Sequence, residues 1–272
     1  MLDFLGYYLQ IVFCTIGLLI LCGLVSELLR RAFYHLLGGA SGFKIIKGVS
    51  IIGTPVHELG HAMMCVVFGH KIHEMKLYSP EPADKNGYVQ LGYVSHSYNK
   101  KNWYQSLGTL FIGLGPIFSG IGVVTLVLYL CFPTSISTFF SAAFSALSSG
   151  ESFFKVIWQG LLLPINMLTE DGFFLWKILG VLVIFSVTMH VTLSGADIKN
   201  SVRGLVIYLL LALVFAFVTA LFGKTVVGAI GDAVGVFALY CGAVYVVFYV
   251  FSLLILLFAF VVYGIRKRKR KK

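Results

Sequence analysis

The chain has 272 residues, 58% hydrophobic and 12% charged, and a mean hydropathy of +0.92. Such a composition excludes an ordinary soluble domain, since several of its apolar runs reach the ~20 residues that cross a bilayer. The formal charge of +10 does not mark a nucleic-acid partner, because much of it lies in the tail Arg266-Lys267-Arg268-Lys269-Arg270-Lys271-Lys272, directly after a hydrophobic segment. Basic residues there hold a terminus in the cytoplasm and attract anionic lipid.

In chain order, the first apolar run covers 7–29, lacks a basic stretch before it and is long for a signal peptide, so it reads as a retained transmembrane helix. Arg30 and Arg31, then Lys44 and Lys47, follow it and place this first connection on the cytoplasmic side, with the N-terminus outside. A second helix starts near Ile45 and runs to Gly69, with Pro55 loosening the turn before His57. Two short strands, 75–78 and 88–94, flank a turn-rich stretch at 80–87 and predict a hairpin at the membrane surface. That hairpin is a connector or an edge onto which an extended substrate adds. His70, His73 and His96 lie here and read as solvated loop histidines.

The next helix, 107–132, carries Gly113-Leu114-Gly115-Pro116-Ile117-Phe118-Ser119-Gly120, whose small residues allow a close neighbour and whose proline predicts a kink. An interfacial stretch at 133–149 and a shorter apolar run at 153–168 precede helices at 172–193 and 205–222. The last block, 226–265, exceeds one crossing and leaves room for a half-helix or an interfacial segment before the final span. The expected fold is an all-α polytopic membrane protein with about six or seven transmembrane helices and a small surface hairpin. It forms one integral-membrane domain over 1–265, with its core at about 45–203, and a basic cytoplasmic tail at 266–272. The five cysteines, Cys14, Cys22, Cys65, Cys131 and Cys241, form no C-x-x-C pair and read as packing residues.

Chemistry concentrates in His57-Glu58-Leu59-Gly60-His61. Chance placement gives about 0.004 such matches in a chain of this composition. On a helix, His57 and His61 face the same way and can share a metal ion, while Glu58 can approach a metal-bound water. Two histidines and a glutamate inside an apolar segment are also expensive to bury unless they have a function.

The HExxH helix, the Gly-rich hairpin after it and the Gly115-Pro116 helix resemble the site-2 protease family of intramembrane zinc metallopeptidases over about residues 45–203. The resemblance implies a zinc ion held by two histidines and an aspartate of a later helix, with glutamate as general base and a membrane-anchored protein as substrate. His57, His61 and Glu58 carry over directly. For the third ligand two aspartates compete. Asp171 has an Asp-Gly context without the family's spacing and prolines. Asp197 closes His190-Val191-Thr192-Leu193-Ser194-Gly195-Ala196-Asp197, which resembles a run in divergent members.

If 153–168 crosses the membrane once, Asp197 lies on the face where the HExxH helix begins and is preferred; if that run is re-entrant, the parity flips toward Asp171. Ser194 with Asp197 also matches a helix capping box, and His190 is a candidate to orient a ligand. The expected function is zinc-dependent hydrolysis of peptide bonds by a multi-pass protein, its C-terminus cytoplasmic and its membrane the cell membrane. A catalytically inactive scaffold and an ion-coupled transporter using acids such as Glu27 and Asp232 are the alternatives.

Overall fold

The computed structural model describes residues 2–37, 40–80, 91–148 and 153–269. Helix α1, Leu2–Val12, continues through a π-helical turn at Phe13–Gly17 into α2, Leu18–Leu36. Helix α3, Ala40–Val67, is followed by strands β1, Lys71–Lys76, and β2, Tyr93–Ser97. Helices α4, Trp103–Cys131, α5, Pro133–Ser148, and α6, Phe153–Thr169, come next. Helices α7, Phe174–Thr188, α8, Gly195–Leu221, and α9, Lys224–Lys269, complete the order.

Among the described residues, four helical runs are long and apolar enough to cross a membrane: Asp3–Leu36, Trp103–Cys131, Gly195–Leu221 and Lys224–Ile265. They mark an integral membrane protein built mainly of helices, with one two-stranded antiparallel sheet. On α8 the large apolar side chains Leu210, Val214, Phe217 and Leu221 are exposed, as suits a surface that meets lipid rather than water.

The centre of the molecule is the seam between α3 and α4. Gly60 and Gly115 stand against each other, and a Cβ on Gly60 would come within 2.5 Å of the Gly115 carbonyl oxygen. Any larger residue on either side would push the two backbones apart. Ser119 Oγ donates to the Val56 carbonyl across the same seam at 2.8 Å. Pro55 and Pro116 both lie inside uninterrupted helices, and Pro116 is buried in the tight α3–α4 packing.

Helices α7 and α8 are two parts of one path that runs antiparallel along α4. Gly180 packs on Cys131, Gly120 on Val191, Gly113 on Ser201, and Gly204 on Leu110. Between the helices, residues 189–194 leave helical geometry while staying inside the protein. His190, Val191, Thr192 and Leu193 are all buried, and Leu193 N–H donates to the Gly23 carbonyl of α2 at 3.2 Å. Non-helical backbone at such depth is tolerated because it is enclosed by protein and lines a cavity.

Several expectations from the sequence need correction. The helix placed at 172–193 stops at Thr188, and the one placed at 205–222 begins ten residues earlier, at Gly195. The stretch 133–149, to which the sequence assigns no helix, contains α5, which packs on α6. Glu170, just after α6, accepts from Thr134 N–H and Ser135 N–H at the start of α5. The α5–α6 pair therefore leaves and returns to the same end, so 153–168 is not the lone crossing that the parity argument assumed. The block 226–265 is one continuous helix rather than a half-helix and a span, and at 1.5 Å per residue α9 reaches about 69 Å.

The hairpin also differs. Its strands pair Lys71 with Ser97 and Lys76 with Tyr93, displaced from the expected 75–78 and 88–94, and 81–90 lies outside the described residues. It folds back along α3. Gly92 packs on Glu58, and Tyr78 Oη donates to the Lys47 carbonyl, about three turns before His57.

Candidate metal centre

Helix α3 presents His57 and His61 one turn apart, with ring centroids 4.9 Å apart and planes crossing at 78°. Each ring is oriented by a main-chain carbonyl from another segment. His57 Nδ1 donates to the His190 carbonyl at 2.7 Å, and His61 Nδ1 donates to the Ile112 carbonyl at 2.7 Å. A carbonyl only accepts, so each imidazole carries a proton on Nδ1, and in its neutral form offers Nε2 as a bare lone pair.

The two Nε2 atoms face each other at 3.2 Å, and Asp197 Oδ1 stands 3.4 Å from His61 Nε2. With both rings neutral, three acceptors meet with no donor among them. Such a group is repulsive until a cation enters it. Tetrahedral zinc, with bonds of about 2.0–2.1 Å to nitrogen and oxygen, separates its ligand atoms by about 3.3 Å, so the residues present fit that ion.

Asp197 reaches this place from the first turn of α8. Its Oδ2 accepts from Ser194 N–H at 2.9 Å, while Ser194 Oγ accepts from Asp197 N–H at 3.2 Å, closing a capping box. The helix cap and the metal-ligand position therefore use different oxygens of one carboxylate. Asp171 is exposed at the turn between α6 and α7. It borders a shallow hollow with Thr134, Ser135 and Asn166, and the structure does not bring it to the histidine pair.

Glu58 is buried and lines the same cavity, of about 630 Å³, as His57, His61 and Asp197. Leu91 and Gly92 form the wall facing it. A Cβ on Gly92 would stand 2.9 Å from Glu58 Cγ and 2.7 Å from the Lys76 carbonyl oxygen, so glycine is what lets the returning chain approach the acid.

Two further cavity residues, Arg30 and Thr54, carried no such signal in the sequence, and His190, the candidate to orient a ligand, lies beside them. Arg30 lines the wall, and its charge is balanced by Glu27, which accepts from Arg30 Nε and Nη2 at 2.7 Å and from Arg31 Nε at 2.8 Å. Glu27 is thus committed to an ion pair, and Asp232 is exposed on α9. Thr54 and His190 also line the cavity, and neither Thr54 Oγ1 nor His190 Nε2 has a hydrogen-bond partner among the described residues. His190 Nδ1 donates to the Ser186 carbonyl at 2.8 Å, while its own carbonyl orients His57. The sequence offered His190 as a residue to orient a ligand, and in the structure its main-chain carbonyl, not its ring, meets His57.

The hairpin histidines are not all solvated. His73 is exposed and bonded to Ser97 Oγ, but His70 is buried and stacked on Tyr98 with centroids 4.7 Å apart. Burial lowers the pKa of His70 and, together with the neighbouring His70, pushes His96 down to about 4. Both rings are therefore neutral at pH 7.

Comparison of the chain with protein-family models, curated proteins and solved structures finds no match.

Proposed function

We propose that this chain is an intramembrane zinc metalloprotease, similar in chemistry to the site-2 protease family, that hydrolyses peptide bonds of membrane-anchored protein substrates. The observation that carries the reading is the convergence of His57 Nε2, His61 Nε2 and Asp197 Oδ1 in one cavity with Glu58. His57, His61 and Asp197 would hold the ion, leaving a fourth position open, as catalytic zinc sites do. Zinc bound there supplies Lewis acidity, lowering the pKa of a water and polarising a carbonyl.

Within that scheme Glu58 takes the proton of the attacking water on a carboxylate oxygen and returns it to the leaving amine. The Nδ1 bonds to the His190 and Ile112 carbonyls hold both rings in the tautomer that leaves Nε2 free. The glycine seam of α3 and α4 fixes the height of His57 and His61 against Ile112. Strand β2 contributes Tyr93, Val94 and His96 to the cavity wall and, among the described residues, pairs along one side only, with β1. Its other side offers main-chain groups to a substrate segment that must lose its helical hydrogen bonds before a carbonyl is exposed to attack.

The end of α2 and the late turns of α9 share one cluster, with Phe33 and Leu37 packed among Ile255 and Ala259. Arg30, Arg31 and the C-terminal end of α9 then belong to one end of the bundle, which the distribution of positive charge in the sequence favours as cytoplasmic. With α3, α4, the α7–α8 path and two outer helices as crossings, the α5–α6 hairpin decides between a lower and a higher span count.

The test is zinc per chain on detergent-purified protein together with cleavage of a fluorogenic transmembrane peptide in proteoliposomes. Zinc that is lost in His61→Ala, and cleavage that is lost in Glu58→Gln with zinc retained, supports the reading. Cleavage that survives Glu58→Gln unchanged, or a folded wild type that takes up no zinc, removes it.

A further inference from the structure

A second set of metal-binding side chains lies outside the group just described. Cys65, on the last turns of α3, His70, in the turn before β1, and His96, on β2, offer Sγ and ring nitrogen atoms that lie within 4.8 Å of one another. Cys65 is fully buried and His70 nearly so.

The frame around these residues is rigid. His70 Nε2 donates to the Gln105 carbonyl at 2.7 Å, which leaves His70 Nδ1 as a bare acceptor. That atom faces His96 Nδ1 at 3.1 Å. The Gln105 side chain donates to the Gly69 carbonyl and accepts from Asn99 N–H, so the turn carrying His70 is tied to the start of α4. Tyr98 stacks on the His70 ring from the other side.

We propose that Cys65, His70 and His96 form a second zinc site that ties the end of α3 to the strand pair. With bonds of about 2.0–2.1 Å to nitrogen and about 2.3 Å to sulfur, tetrahedral ligand atoms lie about 3.3–3.6 Å apart. The two nitrogens already have nearly that separation, and the thiol has to close by about 1 Å at most, within the reach of a side-chain rotation. One thiolate and two imidazoles form a borderline-soft set that zinc accepts and that calcium or magnesium does not favour.

The position gives the site a purpose. His96 also lines the main cavity, and the strands it would anchor lead to Leu91 and Gly92 on the wall facing Glu58. A metal here would hold the sheet in its folded-back position without taking part in hydrolysis. The alternative for the same geometry is a plain hydrogen bond from His96 Nδ1–H to His70 Nδ1, with Cys65 as a packing residue.

Cobalt substitution separates the two, because a thiolate bound to Co²⁺ gives a near-ultraviolet charge-transfer band and the His57, His61 and Asp197 group contains no sulfur. The full-length protein in detergent is loaded with Co²⁺ alone, and zinc per chain is measured in parallel. Wild type is expected to show the band and about two zinc ions per chain. Cys65→Ser and His96→Gln are expected to lose the band and drop to about one zinc, while His61→Ala loses one zinc and keeps the band. His96 is partly exposed, so its variant tests the site even if Cys65→Ser does not fold. Absence of the band from folded, cobalt-loaded wild type, or its persistence in either of the first two variants, overturns the second site. Failure of the catalytic reading is seen separately, as wild-type zinc that is unaffected by His61→Ala.

Discussion

The two ends of α7 each carry an acid with a helix-capping look, and only one of them enters the interior. Before α7, Glu170 is spent on Thr134 N–H and Ser135 N–H at the start of α5, and Asp171 beside it faces outward. After α7, the chain breaks inside the protein and Asp197 divides its oxygens between Ser194 N–H and the histidine pair. The Asp-Gly context favours the first acid and the depth of the break selects the second. A carboxylate becomes a ligand candidate through convergence with other acceptors in an enclosed space, whatever its neighbours in sequence.

The largest expected difference between the two ends is in metal content. Asp197→Ala, like His61→Ala, should remove the zinc held by this group, whereas Asp171→Ala should leave metal content unchanged; elemental analysis of the purified variants decides. Loss of zinc in the Asp171 variant alone would reverse the assignment. Next is Glu58→Gln, expected to keep its zinc and lose about 10²–10⁴-fold in cleavage rate, the usual worth of a general base.

Strand pairing is the third point of attack. Val94→Pro in β2 removes a main-chain donor from the cavity wall and should lower cleavage of a helical substrate with zinc content unchanged. Equal cleavage by a folded variant would sink the edge-pairing idea. The seam that sets the site's height should respond as an overpacked core, so Gly60→Val is expected to destabilise the protein by about 1–3 kcal/mol, measured as thermal unfolding in detergent.

The smallest effect belongs to the outward end. Burial opposes the ionisation of Glu170, but its bonds to Ser135 and Thr134 prevail and hold its pKa below the ordinary 4.5. The cap it forms is complete above pH 4.5 and is lost as pH falls through the lower, folded value. In Glu170→Gln this acid-side slope of the unfolding midpoint should flatten, while zinc content stays as in wild type. A variant with the wild-type slope would show that the cap adds nothing.

His57, Glu58 and His61 were legible from spacing alone, because four residues on a helix return to one face and no tertiary contact is needed to know it. The membrane character was legible for the same kind of reason, since the length of an apolar run is a local property. The glycines and the proline of 113–120 announced a close neighbour and the structure supplies it in Gly60.

What the sequence could not decide was depth and direction. The preference for Asp197 rested on 153–168 crossing once, and that premise does not hold, since α5 and α6 return to the end they left. Asp197 still stands at the histidines, because the α7–α8 path breaks inside the protein, level with His57 and Ile112. That break has no strong local signature: 172–193 is apolar enough to read as one helix, and Ser194 with Asp197 looks like any capped N-terminus. Its place is set by enclosed carbonyls and N–H groups finding partners on α2 and α3, which are more than 130 residues away in sequence. The same holds for Gly92 against Glu58 and for Cys65 beside His70 and His96. Spacing on one helix is written in the chain, whereas meetings between segments exist only once the backbone has been folded and packed.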